Sequence, residues 1–582
     1  MEQQTEAVAV PPTTLLTLNQ KPKEAMEQQT EVVAVLPTTL LTLPREIIAH
    51  ILSNLVDESE GKSDIQAVLR TCKVLYAVAL PISVSVFRNT VKSYSGSSAA
   101  SRTRNIQFLR YILIQKPWLA KNVRTVIIGR CSVYDDKYVG FNRRQKGYET
   151  MSDDELHVYG YHIEHIIGQL PSGYTLSWYK QWMADLKSGT SDSQFALILL
   201  SCTNIRTLVY MEPEGTRHVG QLLRFARNLL HINIAIQTPG SEWGDGNHPK
   251  MAIPLANVRD VFHETPNYKN GYMTFYLEAP DLLALPRLRF YECVLANGDY
   301  VAATMFKALP RRSSSVEEIV LHCSYLCPEA LKGMVGACKA LKKFEFTYGR
   351  LVTSPDLMTP RDIIEALLPH ADTLEELYIH LEDNGEKDWD WVESPEKLYL
   401  GPRLHKLRFL KKLTVGMQAL TGMLAFPPKP EDDSEQMPLE IEGARTIVEC
   451  LPERLESLLV RDCGVAIVDQ MEELLAVIES GSRFEKLTDI RLVFNAWKMD
   501  MDVDGPEITR LNRDYANVRL NIVLQNDLAY LYDLGFLITE DDEYVTERNP
   551  MSRVNSRHVR DEYLESRGKV SNEFEMVPNI FD

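Results

Sequence analysis

No stretch of the sequence is apolar enough to span a membrane, and no secretion signal is recognisable at its start. Apolar runs stay below the roughly 18 residues that a membrane helix needs. Glu2 and Glu6 stand where a signal peptide would carry Lys or Arg before an apolar stretch. These absences argue against a membrane protein and a secreted one. We therefore expect the protein in the cytoplasm and/or the nucleus, without a membrane partner.

Cysteine is too sparse and too scattered for a disulfide framework. The 582 residues include nine cysteines, an odd number, and they stand in apolar neighbourhoods. In a large chain this pattern favours reduced, buried thiols over the paired cysteines of small secreted domains. We expect the cysteines to be packing residues.

Arrangements of residues that would support catalysis or metal binding are also missing. The pair His162-x-x-His165 lacks the Glu and the third ligand of a zinc protease, and His322-Cys323 with Cys327 lacks the second half of a metal site. No Gly-rich loop is present to cradle a phosphate. We expect no catalytic residue, no metal and no cofactor, and we interpret the chain as a protein that is not an enzyme.

Residues Leu43 to Phe87 form the most informative stretch of the chain. Pro44 suits the first turn of a helix, because the N–H groups of that turn have no partner within the helix, and Glu46 complements the positive end of the helix dipole. Apolar residues then recur at three- and four-residue spacing and predict an amphipathic helix. They are Ile47, Ile48, Ile51, Leu52 and Leu55.

A second helix is predicted after a loop over residues 57–62. Ser63 and Gln66 have the spacing of a capping box at its start, and Leu80-Pro81 marks its end. Together the two helices predict a hairpin with more apolar surface than two short helices can cover by themselves. The apolar positions of the second helix are Ile65, Val68, Leu69, Cys72, Leu75 and Tyr76.

The order of these features resembles the F-box of fungal F-box proteins. It runs from a Leu-Pro start through an Ile/Leu helix to the Cys-Lys-x-Leu-Tyr sequence of residues 72–76. The resemblance implies that this segment docks on the Skp-type adaptor of a cullin-RING ubiquitin ligase, while the rest of the chain recruits a substrate. The alternative is a helical hairpin of an ordinary helical domain. The resemblance assigns adaptor binding to Leu43, Pro44, Ile47, Ile51, Leu55, Leu69, Cys72 and Tyr76.

A short pattern with apolar residues at positions one, four and six recurs after the hairpin, and we call it an apolar phrase. In a leucine-rich repeat this pattern marks the start of the parallel strand. The loose template would produce about a dozen such matches by chance. Four of the phrases, however, follow an amphipathic helix, and this repeated order indicates right-handed parallel repeats. The phrases begin at Val123, Ile205, Leu229, Val258, Leu285, Val316, Leu341, Leu374, Leu410, Leu455 and Leu487.

These units resemble the degenerate leucine-rich repeats of fungal F-box proteins, although the Asn that follows the strand in regular repeats is mostly absent. The chain is 45% hydrophobic and 25% charged, as expected for a globular protein with a large core or several domains. The sequence therefore predicts an α/β protein with an N-terminal all-α F-box helical hairpin, followed by an irregular leucine-rich-repeat-like α/β solenoid.

Composition divides the chain into six segments. In the first, Met1 to Leu18 returns as Met26 to Leu43 with two changes, and we expect this duplicated leader to be disordered. A C-terminal cap is predicted to place a helix near Leu528, Leu531, Tyr532 and Phe536 over the last repeat. The segments are 1–42, the leader; 43–90, the F-box; 91–120, a linker over 93–101 and a helix over 106–119; 121–495, the repeats; 496–539, the cap; and 540–582, an acidic mobile tail.

Side chains alternate along a strand, so positions three, five and seven of each phrase are predicted to line the concave face of the sheet. The third positions alternate in charge, which predicts a ladder of opposite charges on neighbouring strands. They are Asp260, Arg287, Glu318, Lys343, Glu376 and Lys412. Exposed aromatic and Arg side chains are enriched at binding surfaces. The candidate substrate contacts on this face are Phe262, Arg289, Tyr291, His322, Tyr378 and His380.

Positive charge is concentrated in residues 87–146. This segment holds thirteen Lys or Arg against two acidic residues, whereas the whole chain has a formal net charge of −17. A pI of 5.4 makes nucleic acid a poor partner, so an acidic or phosphorylated protein fits better. The alternative is a solvated basic face without a ligand. The residues predicted to attract such a partner are Arg124, Arg130, Arg143 and Arg144.

Three functions are compatible with these patterns. The first is a substrate-recognition subunit of an SCF-type cullin-RING ubiquitin ligase, which binds a Skp-type adaptor, and through it a cullin, together with a protein substrate. The second is a leucine-rich-repeat scaffold that binds a protein partner without ubiquitination. The third is an unrecognised enzyme. The sequence favours the first, because the hairpin and the repeats occur in one chain.

Overall fold

The computed structural model describes most of the chain between Leu40 and Gln525. The described residues are 40–57, 61–89, 98–128, 151–168, 175–211, 217–237, 252–264, 278–294, 296–298, 300–348, 358–380, 399–423, 440–495, 501–511, 515 and 517–525. The leader up to residue 39, the predicted helix near 528–536, the tail 540–582, Arg130, Arg143 and Arg144 lie outside them.

The described chain is a mixed α/β structure built on one long parallel sheet. The strands are β1 Val86–Asn89, β2 Thr125–Ile128, β3 Thr207–Met211, β4 Asp260–Glu264, β5 Phe290–Val294, β6 Asn297–Gly298, β7 Glu318–Leu326, β8 Lys343–Tyr348, β9 Glu376–His380, β10 Lys412–Gly416, β11 Ser457–Cys463, β12 Asp489–Asn495 and β13 Arg519–Gln525. Twelve of them pair in chain order, and β6 pairs with the end of β7 instead. Each strand of the row thus lies beside the next one along the chain.

Helices connect the strands and contribute to a core on one face of the sheet. They are α1 Arg45–Asp57, α2 Gly61–Leu69, α3 Lys73–Ser83, α4 Ser98–Leu109, α5 Asp153–Ile167, α6 Thr175–Ser188, α7 Ser191–Ser201, α8 His218–Gln237, α9 Ala279–Leu283, α10 Tyr300–Lys307, α11 Pro328–Ala337, α12 Pro360–Leu367, α13 Met417–Thr421, α14 Ile447–Cys450, α15 Ile467–Glu479 and α16 Met501–Thr509. Leu40–Thr42, Pro117–Asn122, Leu368–His370 and Gly401–Lys406 form 3-10 turns, and Arg110–Gln115 forms a π-helical segment.

Alternate residues of each strand enter the main core. In β7, Ile319 and Leu321 belong to this core, whereas Val320 between them belongs to a separate cluster. This alternation follows from the two-residue period of a strand. Nine of the eleven predicted phrases have their fourth and sixth residues at such buried strand positions, and those nine strands are confirmed.

Two predicted phrases were wrong. The phrase at Leu229 lies inside helix α8, because apolar residues at three- and four-residue spacing fit the helix as well as the template. The phrase at Leu285 was placed three residues too early. The residues that enter the main core at this strand are Leu288, two residues before β5, and Tyr291 and Cys293 within it. The template fitted Leu285 because Leu285 and Leu288 are both apolar and three residues apart.

The N-terminal region contains three helices in place of the predicted two-helix hairpin. The second predicted helix is divided into α2 and α3, because the chain turns at Arg70 to Cys72 and Cys72 has extended backbone angles. Helix α2 begins at Gly61, so Ser63 lies inside it and is not its cap. Pro81 does not end α3, which continues to Ser83. The three helices share a small core of Ile48, Leu52, Ile65, Leu75 and Ala79.

The boundaries around the sheet also differ from the prediction. Helix α4 begins at Ser98, inside the predicted linker, and gives way to the π-helical segment after Leu109, before the predicted end at Leu119. At the other end, the sheet does not stop at residue 495, because β13 pairs with β12 along its whole length. The predicted cap segment therefore supplies one more strand of the sheet.

Candidate protein-docking surfaces

Helix α1 divides its apolar residues between a buried and an exposed side. Ile48 and Leu52 are each 1% exposed and pack in the small core, whereas Ile47 is 47% and Ile51 is 39% exposed. Within each pair the residues are four apart, so the members of a pair lie on the same side of the helix. The helix thus presents two large aliphatic side chains to the surface.

Other exposed apolar side chains are concentrated in the same region. Thirteen large apolar side chains are exposed in the described part of the chain, and six of them fall between Leu40 and Tyr76. Single exposed apolar residues are normal on a protein surface, whereas several on one small helical unit are a reason to consider an interaction site. We call these six residues the N-terminal apolar set. They are Leu40, Leu41, Ile47, Ile51, Val74 and Tyr76.

The remaining predicted adaptor contacts occupy different environments. Leu43, Leu69 and Cys72 are half-buried and pack against the small core, so their first role is to hold the three helices together. Pro44 is exposed, and its carbonyl accepts the N–H groups of Ile47 and Ile48 at the start of α1. The side chain of Leu55 lies outside the described residues.

Tyr76 belongs to a second contact as well. Lys116 Nζ donates a hydrogen bond to its hydroxyl at 2.5 Å, and the same ammonium lies 5.2 Å from the ring centroids of Tyr76 and Tyr111. This cation links α3 to the segment that follows α4. Tyr76 is therefore an exposed ring held in place on one edge by Lys116.

Two of the candidate substrate contacts are buried. Phe262 packs against Phe290, with 5.3 Å between ring centroids, in a buried cluster with Ile127, Val209 and Val320. Tyr291 is buried in the main core, where its hydroxyl lies 2.9 Å from His263 Nδ1, because the true register of β5 differs by three residues. The prediction that these two rings contact a substrate from an exposed face was wrong.

His322 and His380 lie on strands where they were predicted, but their side chains are buried as well. Burial lowers the pKa of His322, with a smaller opposing effect from Glu345, so the ring is neutral at pH 7. His380 Nε2 lies 3.1 Å from Asp462 Oδ2. The Arg461 guanidinium lies 5.7 Å from the ring centroid of half-buried Tyr378. These side chains interact with one another or with the interior and leave little surface for a partner.

The predicted charge ladder is present in part. Lys412 Nζ lies 2.7 Å from Glu376 Oε1 on the neighbouring strand, and Asp489 pairs with Arg519 at 2.7 Å in the same row. Arg287 is not a member of the row, because Phe290 occupies that position in β5, and its guanidinium donates to Asn257 Oδ1 instead. Buried Asp260 accepts a hydrogen bond from Thr207 Oγ1.

Arg289 and Arg124 lie at the entrances of strands β5 and β2. Each directly precedes the first residue of its strand, and Arg206 and Arg259 occupy the same position before β3 and β4. The sequence interpretation missed Arg206 and Arg259. The signal was available in the sequence, because all four stand at position two of an apolar phrase, directly before the strand, once the phrase of β5 is taken to begin at Leu288.

The described residues contain no group of three His, Cys, Asp or Glu side chains placed to hold a metal ion. Half-buried His162 has a lowered pKa because of burial, with a smaller contribution from His165, and no described residue supplies this pair with a third ligand. Among the described helices, none is long and apolar enough to cross a membrane.

Comparison with known proteins identified no relative of this chain. No family model matches the chain, and no curated protein matches it.

Proposed function

We propose that this protein is the substrate-recognition subunit of an SCF-type cullin-RING ubiquitin ligase. In this proposal residues 43–90 are an F-box that binds a Skp-type adaptor, and the sheet and its helices are a leucine-rich-repeat-like α/β solenoid that binds a protein substrate. In this proposal the ligase chemistry belongs to the other subunits, so the chain itself needs no catalytic residue and no cofactor.

The division of α1 into a buried and an exposed side carries the proposal. A helix that only supported its own small core would not need Ile47 and Ile51, since Ile48 and Leu52 already fill that core. Exposed aliphatic side chains on a helix are the anchors by which one helix docks on another protein. The Leu-Pro start and the Cys-Lys-x-Leu-Tyr sequence then point to the F-box among such helices.

The order of the strands supports the second half of the proposal. Each connection returns the chain to the next parallel position, so the sheet grows by one strand at a time. Stacked repeats of a strand and a helix produce this order, and their extended surfaces commonly bind proteins. A long row of strands beside a small helical unit matches a subunit that holds an adaptor at one end and a substrate along its length.

Adaptor binding is tested with the purified full-length chain and a Skp-type adaptor in a titration. Ile47→Ala with Ile51→Ala should weaken binding at least about tenfold, because truncation of an interface anchor commonly costs more than 1 kcal/mol. The matched control is Val158→Ala with Tyr161→Ala, two exposed apolar residues on α5. Circular dichroism should show that both double variants keep the wild-type fold.

Two outcomes would contradict the proposal. Wild-type protein that does not bind the adaptor at micromolar concentration, while a protein partner is still captured, would favour the scaffold without ubiquitination. Equal weakening by the control pair would mean that adaptor binding does not depend on α1.

A further inference from the structure

Four arginines form a row along the entrances of four neighbouring strands. Arg124, Arg206, Arg259 and Arg289 directly precede β2, β3, β4 and β5. Their backbones are bonded in sequence: each N–H donates to the carbonyl of the preceding arginine, at 2.7, 2.7 and 2.8 Å. Neighbouring strands lie about 4.8 Å apart, so the row extends over about 14 Å. We call these residues the arginine row.

No described carboxylate forms an ion pair with any member of the arginine row. Arg206, Arg259 and Arg289 are exposed, and Arg124 is half-buried. Burial lowers the pKa of Arg124, and the nearby charge of Arg206 lowers it further. The nearest acidic residue along the chain, Asp260, is buried and bonded to Thr207. Among the described residues, the row is therefore a line of positive charge without a paired carboxylate.

The positions directly before β7, β8, β9 and β10 continue this row, but their charges alternate in sign. Glu317, Lys342, Glu375 and Lys411 alternate in sign at the entrances of β7 to β10. Lys342 pairs with Glu317 at 3.0 Å, and Lys411 pairs with Glu375 at 2.7 Å. Like charges on neighbouring strands oppose pairing, and the alternating half of the row avoids that repulsion. The arginine half retains it, as expected if an anionic partner supplies the missing charges.

We propose that the arginine row binds an extended, carboxylate-rich segment of a partner protein that runs across the strands. A guanidinium can hold a carboxylate through two parallel hydrogen bonds, and a line of guanidinium groups suits charges that are distributed along a chain. An extended peptide advances about 3.3 Å per residue, so about four or five residues cover the row.

The limits of the row favour a short acidic peptide over a long polyanion. Glu317 stands at one end, and Ser85, whose carbonyl accepts the N–H of Arg124 at 2.7 Å, stands at the other. A nucleic acid long enough to pass these ends would meet a protein of formal net charge −17. A segment of a few acidic residues binds within the row and avoids that repulsion.

The position of the row connects this inference to the proposed function. Ser85 lies two residues after the end of α3, so the row begins beside the helices that carry the N-terminal apolar set. If the chain recruits substrates, the acidic segment is a recognition signal that binds near the adaptor end of the sheet. This extension rests on the proposed function, whereas binding of the peptide to the row can be measured without an adaptor.

The test is a fluorescence-anisotropy titration of the full chain with a labelled peptide of six alternating Asp and Glu residues. Wild-type protein should bind it, and the affinity should fall as salt is raised from 50 to 300 mM, because exposed charges are screened. Arg206→Glu with Arg259→Glu should weaken binding at least about tenfold. The matched control is Lys406→Glu with Arg408→Glu, two exposed cations between β9 and β10 that make the same change in net charge.

Three further results would overturn the inference. The first is equal weakening by the control pair, which would mean that net charge alone attracts the peptide. The second is equal wild-type affinity for the Asn/Gln version of the peptide. The third is tighter binding of a singly phosphorylated peptide or a 12-nucleotide RNA, which would assign the row to phosphate. None of these results bears on adaptor binding, which the α1 variants test separately.

Discussion

Asp192 Oδ2 accepts a hydrogen bond from the backbone N–H of His218 at 2.6 Å, although the two residues lie on different helices. The same carboxylate accepts the N–H groups of Arg217 and Val219 at 3.0 and 3.1 Å. These groups lie at the start of α8, where no turn of the helix precedes them to accept their hydrogen bonds. A buried carboxylate on α7 therefore caps α8.

Asp192→Ala should lower the free energy of unfolding by about 2–3 kcal/mol, because it removes a charged cap and leaves buried N–H groups without acceptors. Urea denaturation followed by circular dichroism would measure the loss. Asp192→Asn should lose less, since its amide oxygen still accepts. Asp372→Ala, at an exposed aspartate, is the control and should change stability by less than about 0.5 kcal/mol. Equal stability of Asp192→Ala and the control would show that the cap contributes nothing.

Two glycines of α11 should respond in opposite directions to replacement by Ala. A Cβ at Gly333 would lie 2.8 Å from Phe306 Cβ on α10, whereas a Cβ at Gly336 would meet nothing within 4 Å. Gly333→Ala should therefore cost about 1–3 kcal/mol through overpacking. Gly336→Ala should stabilise the protein by up to about 1 kcal/mol, because Ala favours a helix more than Gly does. Thermal unfolding of the two variants measures both changes in stability. If Gly336→Ala were less stable than wild type, the open space beside Gly336 would be contradicted.

His370 predicts a pH dependence of stability. Its Nδ1 accepts the N–H of Leu341 at 3.3 Å, and its Nε2 donates to the carbonyl of Val335 at 3.0 Å, an arrangement that only the neutral ring can make. Burial lowers the pKa of His370 below its usual 6.5, with a smaller opposing effect from the Val335 carbonyl. The stability that this ring contributes is thus complete above pH 6.5 and is lost as pH falls toward the depressed value.

The comparison of wild type with His370→Gln tests that sign. The variant should be less stable by about 1–3 kcal/mol at pH 7.5, because the ring's hydrogen bonds are lost. This difference in stability should narrow at pH 5.5, because only the wild type has a ring at position 370 that takes up a proton on unfolding. Denaturant midpoints at the two pH values measure the gap, and a gap that widens at the lower pH would contradict the assignment of a neutral ring.

The two sides of α1 should differ in stability as well as in binding. Ile48→Ala should cost about 2–4 kcal/mol, because it leaves a cavity in the small core. Ile47→Ala removes a side chain that is 47% exposed and should cost less than about 1 kcal/mol. Limited proteolysis of the N-terminal helices measures both effects. Similar protease resistance of the two variants would contradict the division of α1 into a buried and an exposed side.

The sequence by itself determined nine of the strands and the helices α11, α12, α14 and α15 that precede four of them, whereas it did not predict α5, α6, α7 or α8. A strand phrase such as Leu374, Leu377 and Ile379 needs only its own apolar spacing and the helix before it, so local pattern was sufficient. The start of α1 at the Leu-Pro pair was recognisable for the same reason, because helix entry is a local property.

Only the tertiary structure decided the register of β5 and the roles of its neighbours. Leu285 and Leu288 fit the strand template equally well, and hydrogen bonding to β4 and β7 selects between them. That choice buries Tyr291 and places Arg289 at the end of the arginine row. The four arginines are tens of residues apart in the chain, and strand pairing alone brings them together, because like charges carry no local signal that they will be neighbours.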